Sequence, residues 1–216
     1  MVDELADLLQ AHVNRDKVVN LTCYALKFWG SSCDRKELLA ASARLAAARA
    51  SMRLYDDALA LKTAIQYGFG TKDGVSWGSL GVAAGGSTLA YLQAEKLCWL
   101  IDTGILSVSK ETEYAVRTAH KLFWSLSAFF GFIRSLRSLH ACAETLKSPE
   151  RPKCASARFT QASLTTTKLV LDTVHAVSWL PKGWLWGNAL STQHASGIAT
   201  LSAVLGLVIH YHGKRF

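Results

Sequence analysis

Seven histidines, five cysteines and two acidic pairs are the side chains of this sequence best suited to chemistry, and their spacing decides what they do. The histidines are His12, His120, His140, His175, His194, His210 and His212. None falls in an HExxH or related metal-binding spacing. His210 and His212 stand two apart, so on a helix they point to different faces and cannot chelate one ion. Cys23, Cys33, Cys98, Cys142 and Cys154 contain no CxxC pair, which gives neither a zinc site nor a redox motif. They read as free thiols of a reducing compartment. Asp56-Asp57 and Glu111-x-Glu113 have no His or Cys beside them and read as solvated or helix-capping carboxylates. The glycine-rich "GVAAGGS" matches neither a Walker A loop nor GxGxxG, and no GxSxG occurs. The expectation is a chain without catalytic residues, metal or cofactor. A membrane-bound enzyme with dispersed residues ranks last among the readings.

The elements that hold these residues point to a membrane instead. The chain has 216 residues, enough for one domain with a sizeable core. It is 50% hydrophobic and 19% charged, with a mean hydropathy of +0.16. The net charge is +8 and the pI about 9.4. A basic excess suits nucleic acid or an anionic membrane face. Nucleic-acid binders cluster Lys and Arg beside stacking aromatics. Here the basic residues are spread thinly between apolar stretches, so the lipid partner is expected and nucleic acid is not. The acidic start "MVDELADLLQ" lacks the basic segment and apolar run of a signal peptide. The terminal "KRF" is not an S-K-L-type address. Asn20-Leu21-Thr22 is a formal glycosylation sequon, but it falls within an apolar helical pattern.

Nearly every segment between turns reads as helix, with no strict alternation of the β kind and no repeat of solenoid period. The predicted class is all-α: a single domain over 1–216, amphipathic over 1–70 and membrane-embedded toward the C-terminus. A short helix is expected over 3–13. A second starts at an Asn14 cap, with Asp16 in its first turn, and ends near Trp29 at Gly30. Asp34 then caps a third helix, with Glu37 completing a capping-box-like pair. That helix runs to about Tyr55, or on to Tyr67.

Residues 75–94 carry no charge and are long enough to cross a bilayer of about 30 Å. Gly81 and Gly85 form a GxxxG pair suited to close helix packing. A span and a glycine-rich loop with a short buried helix both fit this stretch. Residues 109–146 form a helix whose aromatic run, 121–134, is too short to span; it suits a core or a half-inserted segment. A linker covers 147–156, and a further helix and the terminal segment cover 157–213. From Trp184 to Gly213 no Asp, Glu, Lys or Arg occurs. The embedded part is placed at about 195–211, with Ser202 and Gly206 as a small-residue packing pair. Trp179, Trp184 and Trp186 would anchor one interface. Tyr211, Lys214 and Arg215 would anchor the other, on the cytosolic side by the positive-inside rule.

The stretch "RKELLAASARLAAARASMRLYDD" carries the most specific pattern. At about 100° per residue, Leu38, Ala41, Leu45, Ala48, Met52 and Tyr55 share one stripe. Arg44 and Arg49 border it, and Arg35 and Arg53 lie beyond Arg49. Arg35, Lys36, Arg44, Arg49 and Arg53 face a single acid, Glu37. The stripe also fits a heptad seam, so core packing, helix pairing and membrane contact all stay open. In the membrane reading Leu38, Leu45 and Met52 sink between headgroups. The basic residues then snorkel to phosphates.

The order of "RDKVVNLTCYALKFWG", "MRLYDD", "AEKLCWLIDTGIL" and "VHAVSWLPKGWLWG" resembles the peroxisomal membrane protein 11 family. The Trp-Leu-Pro block looks most like its gamma type. The resemblance implies a peroxisomal membrane location with both termini in the cytosol. It implies a role in membrane elongation, proliferation and fission, and homo- or hetero-oligomerisation with family members. It also implies recruitment of fission machinery, a dynamin-like GTPase and its adaptor. The helix that inserts into anionic leaflets would be 35–55 here, and its many alanines imply shallow insertion. The runner-up function is a pore or transport protein for small metabolites.

Overall fold

The computed structural model describes residues 11–150 and 152–215. The chain is 82% helical without strands among the described residues, as the all-α expectation requires. Residues 3–10 of the expected first helix lie outside the described residues. Seven helices follow: α1 (His12–Ser32), α2 (Lys36–Met52), α3 (Asp57–Tyr67), α4 (Val75–Asp102), α5 (Lys110–Lys147), α6 (Ala155–Ser178) and α7 (Thr192–Gly213). Single 3₁₀ turns precede α3 and α4.

Neighbours in sequence are mostly neighbours in space. α4 packs on α5, α5 on α6, α6 on α7, and α1 on α2. Two further contacts bend this row into a ring: α7 packs on α1, and α2 touches α4. α3 folds back along α4. Six helices thus surround a central space, with α3 outside it.

Local chemistry sets the boundaries. Ser109 and Ser191 cap α5 and α7, accepting from the backbone N–H of Thr112 at 3.2 Å and of His194 at 3.3 Å. Glu111 and Glu113 stand in the first turn of α5, at the positive end of its dipole. Two caps differ from expectation. Asn14 does not cap α1; its Oδ1 accepts from Lys17 Nζ at 3.3 Å. Asp34 does not cap α2, because it takes the left-handed turn itself, at φ 50°. The Arg35 N–H then closes a Schellman-type bond to the Gly30 carbonyl at 2.8 Å.

Gly30 was expected to end α1, but the helix runs through it to Ser32. Its role is close approach: a Cβ there would stand 3.0–3.1 Å from Leu38 and Leu39. Gly70 and Gly78 do the same for the α3–α4 turn. A Cβ on Gly70 would lie 2.6 Å from the Gly78 Cα, and Gly70 also sits at φ 67°.

Candidate functional site

Helix α7 is the candidate membrane element. Among the described residues it alone is long and apolar enough to cross a bilayer. At about 1.5 Å per residue its 22 residues reach about 33 Å, the thickness of a hydrocarbon core. Its two faces differ. Small residues, Ala195, Ala199, Ser202, Ala203 and Gly206, are buried against the bundle. Leu201, Val204, Val208 and Tyr211 form the exposed stripe. Ser202 donates to the Asp172 carboxylate of α6, and a Cβ on Gly206 would touch Lys168 Cε at 3.3 Å. This small-residue pair therefore packs α7 onto α6.

The expected anchors sit at the two ends. Trp179, Trp184 and Trp186 are exposed on the loop before α7, and Trp186 Nε1 donates to the Val174 carbonyl at 3.0 Å. Tyr211, Lys214 and Arg215 are exposed at the other end.

Residues 75–94 are helical throughout, as the first part of α4, so the glycine-rich loop alternative does not hold. α4 is not apolar enough to rank as a span. Ser76, Ser79, Ser87, Thr88 and its glycines dilute its hydropathy. Gly81 and Gly85 face α3 of the same chain. A Cβ on Gly81 would overlap the Tyr67 ring, and one on Gly85 would meet Ala64 Cβ at 3.8 Å. The Tyr67 hydroxyl is held by Asp73 at 2.7 Å.

Helix α2 divides the expected membrane-binding residues into two groups. Arg35, Lys36 and Arg44 are exposed. Leu38, Leu45 and Met52 are half-buried along its flank, and Ser42 is buried, with its hydroxyl donating to the Cys23 carbonyl at 2.9 Å. Arg49 turns inward and forms a two-pronged pair with Asp16 of α1, at 2.9 and 3.0 Å. Burial alone would raise the Asp16 pKa, but the Arg49 guanidinium outweighs it and holds the carboxyl below its usual range. Arg53 also turns inward, 3.4 Å from Glu95 and over the Tyr91 ring. Sequence spacing could not show these pairings, because the acids lie on α1 and α4.

The inward arginines border a cavity of about 770 Å³ at the centre of the ring, lined from α1, α2, α4, α5, α6 and α7. Lys27 lies 4.3 Å over the Trp179 ring, and His175 meets Tyr24, Trp124 and Trp179 edge-on. His120 stacks on Tyr91, and its Nε2 is buried without a hydrogen-bond partner. Burial pushes both histidines down to about pKa 4, so each is neutral at physiological pH. No periodicity announces this cavity in the sequence; its residues come from positions far apart. A second feature also went unread: Leu59, Leu61, Ile65 and Phe69 stand exposed on and just after α3. The five cysteines are free thiols. No group of three or more His, Cys, Asp or Glu among the described residues could hold a metal ion.

Comparison with known proteins gives this arrangement its context. The family model described as peroxisomal biogenesis factor 11 (PEX11) matches residues 2–209. The chain belongs to that family. It is similar to peroxisomal membrane protein 11C of Mus musculus, 26% identical over 95% of this chain and 92% of the relative. It is similar also to peroxisomal membrane protein 11C of Homo sapiens, 25% identical over 94% and 91%. No solved structure matches the chain. The gamma-type resemblance and the peroxisomal membrane assignment agree with these matches. The PEX11 family is one of peroxisome biogenesis factors rather than of enzymes.

Proposed function

We propose that this PEX11 chain remodels the peroxisomal membrane, promoting its elongation, proliferation and fission. The observation that carries the reading is the family match over nearly the whole chain, on a fold with an apolar, anchored α7. In this reading α7 and a second crossing earlier in the chain hold the bundle in the bilayer, which keeps Lys214, Arg215 and both termini on the cytosolic side. The basic helix α2 meets the anionic leaflet through Arg35, Lys36 and Arg44. Each such cation adds roughly 1 kcal/mol near an anionic surface. Leu38, Leu45 and Met52 then supply a shallow wedge, and self-association or pairing with family members concentrates it. Fission machinery, a dynamin-like GTPase and its adaptor, would act on the narrowed membrane.

Vesicle binding and tubulation with the full-length protein test this. Lys36→Glu with Arg44→Glu should weaken binding to anionic vesicles at least tenfold. Leu45→Asp with Met52→Asp should abolish tubulation and leave peroxisomes unelongated in cells. Full activity of both variants would remove the basis of the proposal. The central cavity is the observation that favours the second reading, transport of small metabolites. Conductance across planar bilayers, lost in a cavity variant, would support it.

A further inference from the structure

The central cavity is unbalanced in charge. Five cations line it: Lys27, Arg49, Arg53, Lys121 and Lys168. Two carboxylates, Glu95 and Asp172, line it with them, and Asp16 reaches Arg49 from behind. The arginines are occupied, Arg49 by Asp16 and Arg53 by Glu95, and Lys168 is paired with Asp172 at 2.5 Å. Lys27, on α1, is the most telling. It is set against an aromatic face rather than a carboxylate, and burial pushes its pKa down. Lys121, on α5, stands across the ring from it and forms none of the ion pairs described. Beside Lys121 is His120, whose buried Nε2 lacks a partner. Uncompensated cations in a concave, partly desolvated space favour a bound anion.

We propose that this cavity binds an organic anion bearing a phosphate group, held between Lys27 and Lys121. Two features select phosphate over carboxylate. The planar arginine forks that grip carboxylates are already taken, leaving lysine ammonium groups, which bind phosphate as point charges. The cavity also carries an excess of two positive charges, and a phosphate monoester brings about −1.5 to −2 at neutral pH. The volume suits a small organic molecule, and the rings of Trp124 and Trp179 offer its body an apolar wall. A phospholipid headgroup and a soluble phosphate ester share this chemistry. The inference stands apart from membrane remodelling, because its test reads binding and not membrane shape.

The test uses the full chain purified in neutral detergent, and the same chain in phosphatidylcholine nanodiscs with or without phosphatidate. Inorganic phosphate and glycerol 3-phosphate are titrated into the first, following tryptophan fluorescence and thermal unfolding at constant ionic strength. Saturable binding of glycerol 3-phosphate identifies a soluble source. Stabilisation confined to phosphatidate nanodiscs identifies a lipid source. In either arm Lys27→Gln with Lys121→Gln should weaken binding at least tenfold. The paired Lys→Arg variant should keep it within about threefold, and Lys182→Gln, an exposed control, should leave it unchanged. Should the double Gln variant not fold, protection of Lys27 and Lys121 from amine acylation by the bound probe, read by mass spectrometry, serves instead. Unchanged affinity in the double variant, absence of protection, or no saturable binding in any arm overturns the proposal.

Discussion

Two glycine-to-alanine substitutions eight residues apart on α4 should move stability in opposite directions. At Gly78 an added Cβ would stand 2.9 Å from the Gly70 carbonyl carbon and closer still to its oxygen. That obstacle is backbone, fixed by the left-handed turn at Gly70, and it cannot rotate aside. Overpacking of this kind costs about 1–3 kcal/mol, and an immovable neighbour puts Gly78→Ala near about 3. The alanine returns about 1 kcal/mol of helix propensity, leaving a net loss of about 2. At Gly86 a Cβ meets nothing within 4 Å, so Gly86→Ala keeps its gain of about 1 kcal/mol. For a chain of this length 1 kcal/mol moves Tm by about 2–4 °C. Thermal unfolding in detergent should therefore show Gly78→Ala lower by about 4–8 °C and Gly86→Ala higher by about 2–4 °C. Shifts of the same sign would refute the argument, and with it the claim that the glycines near the start of α4 serve packing against α3 and its turn. Dimer cross-linking unchanged by Gly81→Ala would agree with that intramolecular role.

Four further outcomes follow from the described contacts. His175, buried and neutral to about pH 4, titrates near 6.5 when unfolded. The unfolded chain therefore binds the extra proton first, and stability is full above about 6.5 and falls as pH drops toward 4. The loss reaches up to about 3 kcal/mol; His120 is shifted alike, so His175→Gln should make that part of a stability–pH curve about half as steep. A double-mutant cycle of Asp16→Asn with Arg49→Met should give a coupling of about 1–3 kcal/mol. Arg44→Met, on the exposed face, should change stability by less than about 0.5 kcal/mol. Val204→Lys on the outer stripe of α7 places a charge at mid-span, costing about 3 kcal/mol of insertion. Carbonate extraction should release that variant more than Gln193→Lys at the helix start, and equal release would count against α7 as the embedded segment.

What was legible in the sequence is what depends on neighbours along the chain. The charge-free run before Lys214, its tryptophans and its small residues disclosed α7 to within three residues at each end. Less legible was anything whose partner is remote. Gly30 looks like a helix stop because glycine favours the left-handed turn, yet Asp34 takes that turn and Gly30 admits the leucines of α2. Arg49 looks like a lipid-facing residue because its acid lies 33 positions earlier. The cavity is the extreme case, since each of six helices contributes a few polar residues that look isolated in sequence.

Under the remodelling proposal, the same magnitudes decide how α2 would meet a membrane. Docked on the bundle, it already presents Arg35, Lys36 and Arg44, worth together about 3 kcal/mol at an anionic surface. Swinging out adds Arg49 and Arg53, about 2 kcal/mol more, but leaves Asp16 and Glu95 without their partners and strips Ser42 from Cys23. On that proposal binding would precede any release, and insertion of the half-buried Leu45–Met52 flank would be the later, costlier step. A covalent lock separates the two. The Cys23 Sγ lies 3.5 Å from the Ser42 Oγ, so Ser42→Cys positions two thiols for a disulfide between α1 and α2. The oxidised variant should bind anionic vesicles within about threefold of wild type yet fail to tubulate them, and reduction should restore tubulation. Tubulation by the locked form would show that α2 works without leaving α1. Loss of binding on locking would show that release comes first.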